Sequence, residues 1–107
     1  MKGFEMIQKL SVLHCVYQTI ASADGSIEAE RDNEVINFAL SELGLSSTYS
    51  WGSALQLNPH DCFIHLANLS DDDRHLFHTF LLTIAAMGGN KLFRTNCANH
   101  ISQLCKA

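Results

Sequence analysis

Asp24, Glu28 and Glu30 crowd the junction between two stretches of helical periodicity. Carboxylate oxygens gathered where a chain turns suit a hard divalent cation such as calcium or magnesium, which takes oxygen ligands at short range. The pattern is not that of an EF-hand. With Gly25 at the sixth position of such a loop, the first, third and twelfth fall on Ile20, Ser22 and Arg31, which do not supply that loop's ligands. The competing reading is structural: Asp24 caps backbone amides at the turn, and Glu28 and Glu30 form a solvated first turn that complements the helix dipole.

The six histidines and four cysteines raise a second kind of chemistry. His75-x-x-His78 and Cys97-x-x-His100 put each pair on one side of a helix, as a zinc site or a zinc-dependent hydrolase would require. His75 and His78, however, flank an apolar stripe, Cys97 is expected in the core, and no second compact pair completes four ligands. His14 is next to Cys15, and His60 stands two residues from Cys62, but such neighbours on a helix point in different directions and make poor nucleophile-base pairs. No phosphate-cradling glycine loop, G-x-S-x-G elbow or H-E-x-x-H run occurs. Cys15, Cys62, Cys97 and Cys105 contain no C-x-x-C pair and sit mostly among apolar residues, as reduced, buried thiols do. The expectation is a protein that binds without catalysing a reaction.

These groups must be positioned by helices. Leu13, Val16, Tyr17 and Ile20 follow the i, i+3, i+4, i+7 rule, so the first helix runs from about residue 4 to 22 and halts at Ala23-Asp24-Gly25-Ser26, where Gly25 can take positive φ. A second begins near Glu28, buries Ile36, Ala39, Leu40 and Leu43, and closes at Gly44-Leu45 with a glycine cap and its hydrophobic contact. Trp51, Ala54 and Leu55 suggest a short helix within 46–57. Asn58-Pro59 is an N-cap with proline at the first helical position, opening a stretch with Phe63, Leu66 and Ala67 that ends near Leu69. Ser70 caps the next helix, whose first turn is Asp71-Asp72-Asp73 and whose buried face is Phe77, Phe80, Leu81 and Ile84; it stops at Gly88-Gly89. A last helix, about 92 to 105, is expected to bury Cys97, Ile101, Leu104 and Cys105.

An internal repeat emerges. Leu13, Val16, Tyr17 and Ile20 fall on Phe77, Phe80, Leu81 and Ile84 at a constant offset of 64 positions, and the two glycine-bearing corners coincide at the same offset. The expected fold is all-α: a compact bundle of about five to seven helices from two pseudo-symmetric helix-loop-helix halves. The segment Ile20-Ala21-Ser22-Ala23-Asp24-Gly25-Ser26-Ile27-Glu28-Ala29-Glu30-Arg31, with the helix end Leu43-Gly44-Leu45-Ser46, resembles the TerB-like tellurite-resistance family. That resemblance implies a small bacterial all-helical domain linked to tellurite or other chemical stress. It also implies acidic loop residues that bind metal, here Asp24, Glu30 and Glu28. The sequence departs from the family pattern where Arg31 follows Glu30 and where Gly88-Gly89-Asn90-Lys91 carries no aspartate.

Composition narrows the partners. A chain of 107 residues fits one domain. A net charge of -4 leaves little for the clustered basic surface that nucleic acid requires. The apolar run Phe80 to Met87 falls well short of the ~20 residues of a transmembrane helix. The opening Met1-Lys2-Gly3-Phe4-Glu5 lacks the apolar core of a signal peptide, so a cytoplasmic location is expected. The expected partner is another protein or a second copy of the chain. Tyr49 and Trp51, aromatic residues in an irregular segment, are the expected contact points.

Overall fold

The computed structural model describes residues 1, 3–25, 27–45, 48–87 and 90–105, with the side chains at 23, 29, 31, 48 and 49 outside that description. Every regular element among the described residues is an α-helix: α1 (Met6–Asp24), α2 (Ala29–Glu42), α3 (Thr48–Leu55), α4 (Pro59–Ala67), α5 (Asp71–Ala85) and α6 (Lys91–Leu104). Each boundary has a local cause. Glu5 opens α1 in a reciprocal capping box, its backbone N–H donating to Gln8 Oε1 at 2.9 Å. Gly25 ends α1 at φ 87°, its N–H donating to the Ala21 carbonyl at 2.8 Å. At the end of α2 the Leu45 N–H reaches the Leu40 carbonyl at 2.8 Å and the Gly44 N–H reaches that of Ser41 at 3.0 Å. This is the Schellman pattern, with Leu40 and Leu45 both buried. Asn58 accepts from the His60 and Asp61 amides ahead of Pro59, and Ser70 accepts from Asp73 N–H at 3.2 Å. The expected stop at Gly88-Gly89 and the corner residue Ser26 lie outside the described residues.

Helix α1 is the axis of the molecule. It packs most closely on α4, α6 and α3, and also on α5, whereas its contact with α2 is slight. A helix surrounded in this way cannot be apolar on one stripe alone, and Val12, Leu13, Cys15, Val16, Thr19 and Ile20 are all fully buried. Thr19 carries a hydroxyl into this interior and donates it to the Cys15 carbonyl at 2.8 Å. His14 does likewise, a ring N–H at Nδ1 donating to the Ala54 carbonyl at 2.9 Å and tying α1 to α3. The second hairpin is tighter than the first: α5 packs extensively on α6, and Phe77, Phe80, Leu81, Ile84 and Ala85 face the core.

Helix α6 is turned from its expected orientation. Ile101 and Cys105 are buried as anticipated, but Cys97 is only half-buried and Leu104 is 45% exposed. The face that enters the core is Arg94, Ala98, Ile101, Ser102 and Cys105. The rotation follows from Arg94, an arginine spaced i, i+4, i+7 with Ala98 and Ile101, whose side chain points inward because carboxylates wait for it there.

Candidate functional site

The acidic corner is closed by Arg94. Its guanidinium pairs with the Asp24 carboxylate through Nη2, lies 3.4 Å from Asp32 Oδ1, and donates through Nη1 to the Met87 carbonyl at 2.7 Å. The three side chains are 1%, 3% and 1% exposed for Arg94, Asp24 and Asp32. The remaining oxygens are also engaged: Asn90 Nδ2 donates to Asp24 Oδ1 at 2.7 Å, and the Glu28 backbone N–H donates to Asp32 Oδ2 at 3.0 Å. One cation thereby bridges two buried carboxylates and ties the end of α1 and the start of α2 to the Met87 carbonyl beyond α5. Burial of an ion pair is tolerated only when the geometry satisfies its lone pairs and protons, and here most are satisfied.

The backbone around Arg94 is set up for this. Asn90 precedes α6 in the left-handed region at φ 56°, a conformation asparagine tolerates better than most residues. Its side chain makes no cap to α6 and turns to Asp24 instead. The Asp32 carboxylate reaches back four residues to the amide at the start of α2, so it both orders that helix entry and receives Arg94.

Of the carboxylates predicted as cation ligands, Asp24 is therefore engaged by Arg94 and Asn90. Glu28 meets Asp32 through its main chain, and Glu30 is exposed on the first turn of α2. Among the described residues, no three His, Cys, Asp or Glu side chains are placed to hold a metal ion. Arg94 and Asp32 are the residues that sequence reasoning missed. A signal existed for both: Asp32 stands i−3 and i−4 from Val35 and Ile36, and Arg94 is in register with Ala98 and Ile101. A charged residue on an apolar stripe calls for a partner of opposite sign.

The two pairs with zinc spacing are separated by α6. His78 Nε2 meets Asn99 Oδ1 at 2.8 Å, linking α5 to α6, while Cys97 and His100 border a groove on the other side of α6. The thiols are more concentrated than their spacing suggests. Cys15 and Cys105 share a thiol–thiol hydrogen bond, and Cys62 is close enough to influence both. Burial first, and then that hydrogen bond, push the Cys15 thiol well above its ordinary value; the same bond, partly offset by burial, lowers that of Cys105. Burial also raises Cys62.

Trp51 is half-buried and packs against the core, and the Tyr49 side chain lies outside the described residues. Large apolar side chains are exposed elsewhere, above all on α6. Phe93, Cys97, His100 and Leu104 recur at i, i+4, i+7, i+11 and form its outer stripe, with Phe93 60% and Leu104 45% exposed. The last three line a mainly apolar groove of about 360 Å³ that Phe63 of α4 and Gln18 and Ser22 of α1 complete. No described helix is long and apolar enough to cross a membrane. Compared with known proteins, the chain matches no family model, no curated protein and no solved structure.

Proposed function

We propose that this chain is a non-catalytic protein-binding module that receives an apolar helical segment in the groove between α1, α4 and α6. The observation that carries the reading is the outer stripe of α6: Phe93 and Leu104 hold large apolar surface in water at helical spacing, beside a concavity floored by Phe63 and Ile101. Single exposed apolar residues are ordinary, but a periodic row along a groove is how an amphipathic helix is received. The TerB-like resemblance of residues 20–31 supports two related halves and a stress-linked role. In this reading the acidic corner is a clasp that fixes the fold, because Arg94 already supplies the positive charge for which a divalent cation would compete.

Selection of displayed peptides against the intact chain tests the contact surface. Amphipathic sequences should be enriched, and Leu104→Asp should weaken their binding at least tenfold while leaving the helical circular dichroism unchanged. Absence of any peptide sensitive to Leu104→Asp or Phe93→Asp, together with a monomer at all concentrations in sedimentation equilibrium, would remove the proposal. The clasp is tested separately by melting in calcium or magnesium. A rise in melting temperature that Asp24→Asn abolishes would restore the cation reading, since a ligand of the folded state alone must stabilise it.

A further inference from the structure

A second concavity, also about 360 Å³, opens on the other side of α6, between the first half of α5 and the last turn of α6. Asp71, Arg74, His75 and His78 line it from α5 at i, i+3, i+4 and i+7, so one helical face presents a guanidinium, two imidazoles and a carboxylate. Phe77 gives it an apolar wall, and Ser102 faces it from α6. This cleft plays no part in the groove or in the Arg94 clasp.

Ser102 is the telling residue. It is only 5% exposed, and its hydroxyl has no hydrogen-bond partner among the described residues. Ser11 and Thr83, by contrast, donate to the carbonyl one turn back, Ser11 to Ile7 at 2.7 Å and Thr83 to Thr79 at 3.0 Å. A buried hydroxyl left unpaired is costly, and an acceptor entering the cleft would recover that cost. Arg74 is similarly poised. Its ion pair is with Asp71, one turn earlier, whose side chain is 91% exposed, and a pair so open to water is screened and weak. Exchanging that carboxylate for another oxyanion therefore costs little.

His78, which lines the cleft, meets Asn99 at 2.8 Å and so braces α5 against α6. His75 is exposed beside Arg74 and can bring a ring N–H to the same ligand. A planar guanidinium takes two oxygens of a carboxylate or phosphate together. The volume is at the small end of ligand pockets.

We infer that the α5–α6 cleft binds the oxyanion of a small organic acid. Arg74 and His75 grip the charged group from α5, and the Ser102 hydroxyl donates to it from α6. Asp71 acts as the displaced competitor: it holds Arg74 while the cleft is empty and yields it when ligand enters. The anion is a carboxylate or a phosphate monoester, which share this chemistry.

Titration calorimetry and backbone-amide NMR, with phenyl phosphate, benzoate and inorganic phosphate as probes, test the site. Phenyl phosphate or benzoate should bind at millimolar concentration or below and shift the resonances of His75, Arg74 and Ser102. Stronger binding of phenyl phosphate identifies a phosphate ester as the ligand class, and stronger binding of benzoate a carboxylate. Arg74→Gln should lower the affinity at least tenfold and Ser102→Ala several-fold. Asp71→Asn should raise it several-fold, because it frees Arg74 and removes a like charge. That opposite sign cannot come from a damaged fold. Silence from all three probes, an Arg74→Gln affinity equal to that of the parent, or shifts that map away from α5 and α6 would overturn the inference.

Discussion

Arg94 is 1% exposed and pairs with Asp24 and Asp32 while donating to the Met87 carbonyl, so one side chain joins three separate parts of the chain. With its guanidinium gone, Asp24 and Asp32 would lose the cation they share in an interior where each side chain is at most 3% exposed. Removing one member of a buried ionic set costs about 3–5 kcal/mol, much of it the penalty of the charge left behind. Arg94→Met should therefore lower the urea midpoint strongly with little change in the slope of unfolding free energy on denaturant. A loss below about 1 kcal/mol would mean that water reaches the carboxylates and that the clasp is a surface pair. At this scale the sequence was only half legible. Asp24 stood out because glycine and acidic residues at a corner are conspicuous. Arg94 did not, because an isolated arginine in a helix reads as a solvated residue until its register with Ala98 and Ile101 is set against Asp32 on the face of another helix.

Among the elements, local chemistry was read well and orientation less so. The caps at Asn58, Ser70, Gly25 and Gly44 each act within a few residues, so the sequence carries the whole of their cause. Gly25 shows this in its simplest form. A Cβ there would meet nothing within 4 Å, so the only cost of a side chain is its backbone conformation at φ 87°. Gly25→Ala should destabilise by about 1–2 kcal/mol, the penalty of a left-handed residue with a Cβ. Thermal unfolding would show this as a melting point lower by several degrees, and an unchanged melting point would mean that the corner relaxes. Helix rotation depends instead on partners distant in sequence. Apolar spacing admits two neighbouring faces of α6, one through Cys97 and Leu104 and one through Ala98 and Cys105, and periodicity cannot rank them. The buried ion pair selects the second, and the first is left in water as the outer stripe.

Across the whole molecule, α1, α4 and the end of α6 converge on three thiols that the linear spacing kept apart, and this makes stability depend on alkali in a calculable direction. Cys15 and Cys62 are raised by burial above the ordinary thiol value of 9.0, so above that pH the unfolded chain has lost protons that the native state retains. Stability follows the difference in bound protons, and it is therefore complete below pH 9 for these two groups and falls as pH rises through their native values. Cys105 acts in the other sense. Its native value is lowered by the Cys15 hydrogen bond, so its contribution grows as pH climbs toward 9.0 and is constant beyond it. The sum is a stability that bends downward above pH 9, and Cys15 is the principal cause because its thiol is raised furthest. Cys15→Ala loses packing equally at every pH, but it should flatten the alkaline limb by up to about 1.4 kcal/mol per pH unit, the value of one proton. Urea unfolding at pH 8, 9 and 10 separates the two effects: a parallel displacement of the mutant curve would show that the Cys15 thiol ionises as freely in the folded chain as in the unfolded one, whereas convergence of the curves toward pH 10 is the expected result.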